Sequence, residues 1–359
     1  MKKAKKRVDK NDQGNKNEGN NISLMVLWIH NKIERGQRIM RKKQNLEKNF
    51  TIELGVKSDP IQYRYSFDWL FNLMAEEGIY NLQLGTFTEF YSLPDSYFFR
   101  LKESAQSKGI QISSIFTSHR ELGGFLNPEK EYAEITMKNY RRMIEIASIL
   151  ECPVAGSSMG SVYRDKIEYR PQGIKSFLKF IKDMMVFAKD HGLSWLTLEP
   201  MSCYAEPPCN SVELKKIADE LVQFHLNQPE KTVRFGYCSD VSHGWANQEK
   251  IIIENNHDYF IASFPYLYEF HFKNTDSIYN STFGFELENL ERGIIDVKEV
   301  YSILMEKQNE IPVTKVIGYL EHPGPKFGRD YSDYLLERWL RESLKYLKEQ
   351  WAEWSAIFS

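Results

Sequence analysis

Cysteine is scarce in this chain, and no two cysteines form a C-x-x-C pair. Only four occur in 359 residues: Cys152, Cys203, Cys209 and Cys238. A structural zinc knuckle uses paired C-x-x-C cysteines, and a disulfide-stapled secreted fold is much richer in cysteine. Cys203 and Cys209 are near enough to pair if their loop folds back, but disulfides are rare inside cells. The cysteine usage therefore predicts a cytoplasmic protein.

The sequence also lacks long apolar runs and any excess of basic charge. No run of about 18 apolar residues occurs, which excludes a membrane-spanning helix. Lys and Arg number 47 against 49 Asp and Glu, for a net charge of −2. A nucleic-acid-binding barrel would carry a basic surplus. We therefore expect neither a membrane nor a nucleic acid among the partners.

Apolar side chains are almost missing from residues 1–21, which read MKKAKKRVDKNDQGNKNEGNN. This composition is typical of disorder. The apolar segment ISLMVLWIH at 22–30 follows acidic residues and amides, and no small-residue cleavage site comes after it, unlike in a signal peptide. We expect residues 1–49 to be a disordered or loosely attached extension, with Met40 as an alternative start. Residues 50–355 are expected to form one folded domain.

From residue 51 onward, short β-prone runs alternate with amphipathic helical stretches. The predicted strands are 51–58, 80–87, 110–118, 152–158, 194–200, 233–240, 267–274 and 315–322. The helices are predicted to begin near Ser66, which can cap the first, and then to cover 95–108, 131–150, 173–192, 211–224, 247–264, 297–308 and 331–352.

Eight such units require parallel strands with right-handed crossovers. They predict an α/β fold, a closed (β/α)8 TIM barrel. An open doubly wound sheet is the alternative, but GVKSDP after the first strand is not the G-x-G-x-x-G loop that it favours.

Potential metal ligands end four consecutive predicted strands, at the rim where a (β/α)8 barrel carries its chemistry. They are Glu199, Asp240, His271 and Glu321. A single carboxylate at a strand end is most often a helix cap or a solvated residue. Three converging carboxylates repel one another unless a cation joins them. The set predicts a divalent metal site, with oxygen-rich ligands that suit Mn²⁺, Mg²⁺ or Co²⁺ and admit Zn²⁺.

The order of these residues resembles a known family. Glu on the fifth strand, D-x-x-H at 240–243, His on the seventh strand and Glu on the eighth resemble the xylose isomerase-like TIM barrels. The closer likeness is to the sugar phosphate isomerase/epimerase branch, which includes the ketose 3-epimerases, and it covers residues 50–350. It implies that one divalent metal, Mn²⁺ first among the candidates, is held by Glu199, Asp240, His271 and Glu321. It further implies that His243 hydrogen-bonds a substrate oxygen and that Glu199 and Glu321 transfer protons.

The match to the ketose 3-epimerases has two departures. Those enzymes place a substrate-binding Glu six residues after the first metal Glu, where this chain has Ala205 followed by Glu206. They also carry an Arg six residues after the metal His, where this chain has Ser277. We keep Glu206 as a substrate-binding candidate, and a free ketohexose stays open as the substrate.

Further polar candidates lie near the same rim. His119, Arg120 and Glu121 follow the third strand, and His119 is a substrate-binding candidate. Lys273, two residues beyond His271, could hold an anionic group of the substrate. Lys57 follows the first strand, and three aromatic residues could form walls around a sugar: Trp69, Phe87 and Tyr204. For these four residues, and for Arg120 and Glu121, a structural role is the simpler interpretation.

The expected activity is metal-dependent isomerisation or epimerisation of a sugar or sugar phosphate. A metal that chelates a carbonyl and a neighbouring hydroxyl acidifies the C–H between them, so a carboxylate can remove that proton through an enediolate. The same step would serve a lyase or dehydratase acting on a keto-sugar or C-glycoside, which is the main alternative. An endonuclease IV-type DNA repair enzyme needs more histidines and a D-x-H pair. No D-x-H pair follows His271 in this chain, so this function is disfavoured. The expected partner is a small carbohydrate, and a homo-oligomer is compatible with the sequence.

Overall fold

A closed ring of eight parallel strands forms the frame of the protein in the computed structural model, which describes residues 50–117 and 121–358. We number these barrel strands β1 (Thr51–Lys57), β2 (Asn81–Gly85), β3 (Gln111–Thr117), β4 (Val154–Ser158), β5 (Trp195–Glu199), β6 (Arg234–Asp240), β7 (Leu267–Phe272) and β8 (Lys315–Leu320). Each strand pairs with its neighbours in chain order, and β8 closes the ring by pairing with β1 over six residue pairs. The predicted TIM barrel is confirmed.

Helices follow the strands in alternation, as expected. They are α1 (Phe67–Glu76), α2 (Asp95–Ser107), α3 (Lys130–Ile149), α4 (Arg170–Asp190), α5 (Ser211–Leu226), α6 (Asn256–Ala262), α7 (Val297–Glu306) and α8 (Leu335–Phe358), and a single helical turn at Asp330–Asp333 precedes α8. The Ser66 side chain accepts a hydrogen bond from the Trp69 amide and caps α1. Gly192, with φ of +82°, lies just beyond the end of α4, where a left-handed residue ends a helix.

The segment between β6 and β7 differs from the prediction of a helix over 247–264. Trp245–Ala246 and Ile252–Glu254 form a short antiparallel hairpin, and only Asn256–Ala262 is α-helical. Three consecutive isoleucines at 251–253 favour a strand because their β-branched side chains are stiff. Asn255 then caps α6 by accepting a hydrogen bond from the Asp258 amide.

A polar layer crosses the barrel interior below the four predicted metal ligands. Glu269 on β7 is buried, and its Oε1 accepts hydrogen bonds from the hydroxyls of Ser114 and Thr197, each at 3.1 Å. Gln83 on β2 joins the layer by donating from Nε2 to Ser114 Oγ at 3.4 Å. Burial raises the pKa of Glu269. These side chains connect the apolar core below to the charged mouth above.

Several expectations concern parts of the chain outside the described residues. They are the extension 1–49, His119 and Arg120. All four cysteines are free thiols. Among the described helices, none combines the length and the apolar character that crossing a membrane requires.

Candidate metal centre

The structure brings the four predicted ligands together at the carboxyl ends of β5 to β8. One ligand atom from each of Glu199, Asp240, His271 and Glu321 lies within 4.8 Å of the others, and all four residues are buried. The strand register explains this meeting. Asp240 pairs directly with His271 across β6 and β7, and the Glu321 amide donates to the Phe272 carbonyl beside it at 3.0 Å.

The His271 imidazole is held from both of its nitrogens. Nδ1 faces the carboxylates, at 3.1 Å from Glu199 Oε1 and 3.5 Å from Glu321 Oε2. Nε2 lies 2.8 Å from Gln83 Oε1, an acceptor, and 3.2 Å from Cys238 Sγ. The amide oxygen therefore assigns the proton to Nε2 and points the Nδ1 lone pair at the cluster. Burial lowers the pKa of His271, but the carboxylates of Glu321 and Glu199 together outweigh this, and the pKa lies above its ordinary value.

Asp240 has one anchored oxygen and one that faces the cluster. Its Oδ1 accepts from both the backbone amide and the hydroxyl of Ser242, each at 2.7 Å. Its Oδ2 is buried and has no donor with hydrogen-bond geometry, although Lys273 Nζ lies 2.7 Å away as an ion pair. Burial raises the pKa of Asp240, whereas Lys273 and His243 lower it, and the net shift is downward. The carboxylate is thus ionised at neutral pH.

Two ammonium groups bracket the Glu321 carboxylate. Lys57 on β1 donates to Oε1 at 2.6 Å and also lies 3.2 Å from Asp59 Oδ2. Lys273, just past β7, donates to Oε2 at 2.5 Å. Burial raises the pKa of Glu321, but the charges of Lys273 and Lys57 hold it well below its usual range. Glu321 is therefore a firmly anionic ligand.

Glu199 has different neighbours. The contacts that it makes with other described residues come from two imidazoles, His271 Nδ1 at 3.1 Å and His243 Nδ1 at 4.0 Å. Burial raises its pKa and the charge of His271 lowers it, so that the net shift is downward. The two glutamates thus both lie near His271 Nδ1, but Glu199 has imidazoles as neighbours whereas Glu321 also has two ammonium groups.

This donor set fits a divalent cation. Three ionised carboxylates and one imidazole nitrogen make a hard-to-borderline set, which Mn²⁺, Mg²⁺, Co²⁺ and Zn²⁺ accept. The buried Asp240 Oδ2 faces the other three ligands and pairs with the Lys273 ammonium at 2.7 Å. The three buried carboxylates have only two ammonium groups beside them, Lys57 and Lys273, and a divalent cation would neutralise the remaining negative charge.

Two of the remaining predicted site residues lie against the ligands, and a third is not a member of the cluster. The His243 Nδ1 donates to the Pro200 carbonyl at 2.6 Å, and its Nε2 lies 3.5 Å from Asp240 Oδ2. Lys273 contacts Asp240 and Glu321, as described above. Glu206 is buried in the loop after β5 and is not one of the four clustered ligands.

The other rim candidates are spread around the mouth. Glu121 accepts from Thr117 at 3.0 Å. Trp69 stacks on Tyr65 with ring centroids 4.1 Å apart, and Tyr204 is half exposed under the Arg170 guanidinium. None of these aromatic side chains lines the cavity next to the ligands. That cavity has a volume of about 500 Å³ and includes Lys273, Glu321 and His322 in its walls.

Sequence reasoning missed Gln83 and undervalued Lys57. Gln83 stands in the middle of NLQLG, where a polar residue between leucines suggests a solvent-facing position. In a closed barrel, however, one face of every strand points inward, so a polar residue near the end of β2 can support a ligand. Lys57 ends β1, yet its side chain is completely buried because β1 lies next to β8.

Comparisons with known proteins agree with this fold. No curated protein matches the chain by sequence. The structure is similar to D-psicose 3-epimerase from Clostridium cellulolyticum, solved with D-tagatose, at 13% identity over 83% of this chain and 98% of that chain, with a TM-score of 0.60. It is also similar to L-ribulose 3-epimerase, at 11% identity over 86% and 99% with a TM-score of 0.58. A third similar structure is 3-keto-D-glucoside 4-epimerase from E. coli, at 12% identity over 83% and 100% with a TM-score of 0.53.

These identities establish a shared fold. The family assignment rests on sequence, because a family model described as xylose isomerase-like TIM barrel matches residues 72–350. That range runs from α1 to the last helix and includes all four clustered ligands. The chain belongs to the xylose isomerase-like TIM barrel family.

Proposed function

We propose that this protein is a divalent-metal-dependent isomerase or epimerase that acts on a sugar or sugar phosphate. The observation that carries the proposal is the cluster of three carboxylates and one imidazole, with ligand atoms within 4.8 Å, next to a cavity of about 500 Å³. This volume is in the range of about 300–1,000 Å³ that small-molecule sites occupy. The similar structures named for ketose and keto-glycoside epimerases support the same class of substrate.

Glu199, Asp240, His271 and Glu321 would hold one divalent ion, and Mn²⁺ is our first choice. When bound, the ion would polarise a substrate carbonyl and stabilise the negative charge of an enediolate. The chain itself supplies the orientation of the ligands. Gln83 fixes the His271 ring, Ser242 fixes Asp240, and Lys57 fixes one oxygen of Glu321.

Proton transfer falls to the two glutamates in this proposal. Glu199 approaches from β5 and Glu321 from the end of β8, and both carboxylates lie near His271 Nδ1, at 3.1 Å and 3.5 Å. A proton removed on one side and returned on the other would invert a carbon, whereas its return to the adjacent carbon would exchange aldose and ketose. Glu199 is the better placed of the two to accept a proton, since its neighbours are imidazoles and those of Glu321 are ammonium groups.

Four residues are proposed to bind the substrate: His243, Lys273, Glu206 and His119. The support is direct for two of them. Lys273 lines the cavity and lies against Glu321, and His243 Nε2 lies beside Asp240. Lys273 would favour an anionic or strongly polar group on the sugar. A cytoplasmic location, consistent with four free thiols, completes the proposal.

The test is a metal-dependent activity screen in D₂O with ketoses, keto-acids and their phosphates. EDTA should abolish turnover, and added Mn²⁺ or Co²⁺ should restore it. Deuterium should appear in the recovered sugar. Glu321→Gln should lower turnover by at least about 100-fold because an ionised ligand is lost. Glu53→Gln, at the opposite end of β1, serves as the control.

Three outcomes would contradict the proposal. Full activity after chelation would exclude the metal. An unsaturated product would indicate a lyase or dehydratase. Equal losses in Glu321→Gln and Glu53→Gln would show that the cluster has no special role.

A further inference from the structure

A second cavity, of about 560 Å³, lies between the loops that follow β1 and β2 and the helices α1 and α2. Both loops leave the carboxyl ends of their strands, so this cavity opens at the same end of the barrel as the metal centre. Its aromatic walls are Tyr63, Tyr65, Phe67, Phe87, Phe90 and Tyr97. Phe90 is the hub of this group, with ring centroids 5.4 Å from Phe87 and 6.2 Å from both Phe67 and Tyr97.

The aromatic cavity is adjacent to the cavity at the metal centre. Gln62 lines both of them. The ring of the next residue, Tyr63, makes an edge contact at 5.9 Å with Phe327, which lines the metal-centre cavity. The Tyr63 hydroxyl also donates to the Glu89 carboxylate in the wall of the aromatic cavity. The segment Gln62–Tyr63 is therefore the shared wall.

The backbone of this shared wall is strained. Tyr63 has φ of +56°, although its side chain is 70% exposed and has no buried position that demands this conformation. Left-handed backbone at a non-glycine residue costs energy and is concentrated at binding and catalytic sites. The strain here holds a tyrosine ring at the boundary between the two cavities.

Polar groups line the edge of the aromatic cavity. Asp68 and Ser104 are hydrogen-bonded to each other there, and Arg100 stands on the same edge. The Arg100 Nη1 donates to the Ser96 carbonyl at 2.9 Å, and a guanidinium carries five N–H donors in all. Aromatic faces with a rim of donors and acceptors match a sugar ring, whose C–H faces are apolar and whose edge carries hydroxyls. A purely apolar occupant would leave this rim unused.

We propose that the aromatic cavity binds a second sugar residue, so that the substrate is a disaccharide-sized glycoside whose keto-sugar unit lies at the metal centre. This inference rests on the proposed function for the placement of the keto-sugar. The shared Gln62–Tyr63 wall sets the distance between the two units. The second residue would add affinity by stacking and hydrogen bonding without taking part in proton transfer.

The test compares binding of D-fructose with that of three ketose disaccharides of different linkage: lactulose, turanose and isomaltulose. Calorimetry on the full-length protein with Mn²⁺ should find at least one disaccharide bound about tenfold more tightly than fructose. Tyr97→Ala should remove this gain and leave the fructose affinity unchanged. Phe99→Ala is the matched control, since Phe99 is on the same helix, 51% exposed, and outside the cavity walls.

The inference is wrong if no disaccharide binds more tightly than fructose, or if Tyr97→Ala and Phe99→Ala have equal effects. Tyr97→Leu, which retains apolar bulk, guards against misfolding of the alanine variant and should also remove most of the gain. These binding ratios do not depend on turnover. Failure of the proposed function would instead appear as activity that survives chelation, so the two failures are distinguishable.

Discussion

Lys57 and Glu321 stand 264 residues apart in the sequence and form a buried ion pair, with 2.6 Å between Nζ and Oε1. The Lys57 side chain is fully buried and that of Glu321 is 10% exposed. Barrel closure makes this contact, because Lys57 ends β1 and Glu321 follows β8. Lys57 pairs with Oε1 of Glu321, whereas Oε2 faces His271 and Lys273. Removal of the ammonium would leave a buried carboxylate short of a partner.

Lys57→Met should therefore lower the free energy of unfolding by about 3 kcal/mol, as expected when one partner of a buried pair is lost. Urea denaturation in EDTA measures this directly. Lys315→Met is the matched control, since Lys315 pairs with Glu53 at 3.4 Å between the same two strands, with both side chains over 40% exposed. It should cost less than about 1 kcal/mol. Similar costs for the two variants would exclude a special role for the buried pair.

Gln83 orients the metal-ligating imidazole in our interpretation. Gln83→Met keeps the length of the side chain but removes the oxygen that lies 2.8 Å from His271 Nε2. Mn²⁺ affinity should fall by about 10- to 100-fold, the usual effect of losing such a supporting contact. Ser114→Ala removes a different neighbour of Gln83, one without a contact to the imidazole, and should change the affinity much less. Equal affinities in Gln83→Met and wild type would contradict this role.

Two serines that flank Asp240 provide an internal comparison. The Ser242 hydroxyl donates to Asp240 Oδ1 at 2.7 Å, whereas the Ser239 hydroxyl is buried without a hydrogen-bond partner among the described residues. Ser242→Ala should weaken Mn²⁺ binding by about fivefold, since about 1 kcal/mol of orientation is lost. Ser239→Ala should leave the Mn²⁺ affinity within about twofold of wild type. A larger loss of Mn²⁺ affinity in Ser239→Ala than in Ser242→Ala would show that the Ser242 hydroxyl does not orient Asp240.

The sequence was sufficient to predict the barrel and to group the four ligands, for one physical reason. Parallel strands place their carboxyl ends at one rim, so residues such as Glu199 and Asp240 meet once the strand ends are identified. The roles of Lys57 and Gln83 were harder to predict because they depend on the closure of the barrel and on the register of its strands. Lys57 needs β8 beside β1, and Gln83 needs the inward face of β2.

The hairpin at 245–254 and the aromatic cavity could not be predicted for a related reason. Trp245 and Glu254 pair across a loop, and local periodicity does not encode such a pairing. Phe87 is a possible wall for a sugar by sequence alone, and the structure places it in the aromatic cavity. Loop conformation places its ring there, and loops follow no periodic pattern that a sequence reveals.

A cluster of charged side chains joins α1 to α8, and its contribution to the free energy of unfolding should depend on pH. Glu77, at the end of α1, accepts hydrogen bonds from Arg341 at 2.9 Å and Lys348 at 3.0 Å, both on α8. Burial raises the pKa of Glu77, but the hydrogen bonds from Lys348 and Arg341 lower it below its ordinary value of 4.5. A depressed folded pKa stabilises the protein above the unfolded pKa, and this stability is lost as the pH falls through the folded value.

Glu77→Gln should therefore lower the free energy of unfolding by about 1 kcal/mol at pH 7, and the difference from wild type should shrink as the pH falls below 4.5. Urea denaturation between pH 3 and pH 7 gives the profile. Glu349→Gln is the control, because Glu349 pairs only with Lys345 at 3.8 Å on the surface of α8 among the described residues. Its effect should be near zero at every pH. A Glu77→Gln cost that stays constant with pH would mean that packing, and not charge, joins α1 to α8.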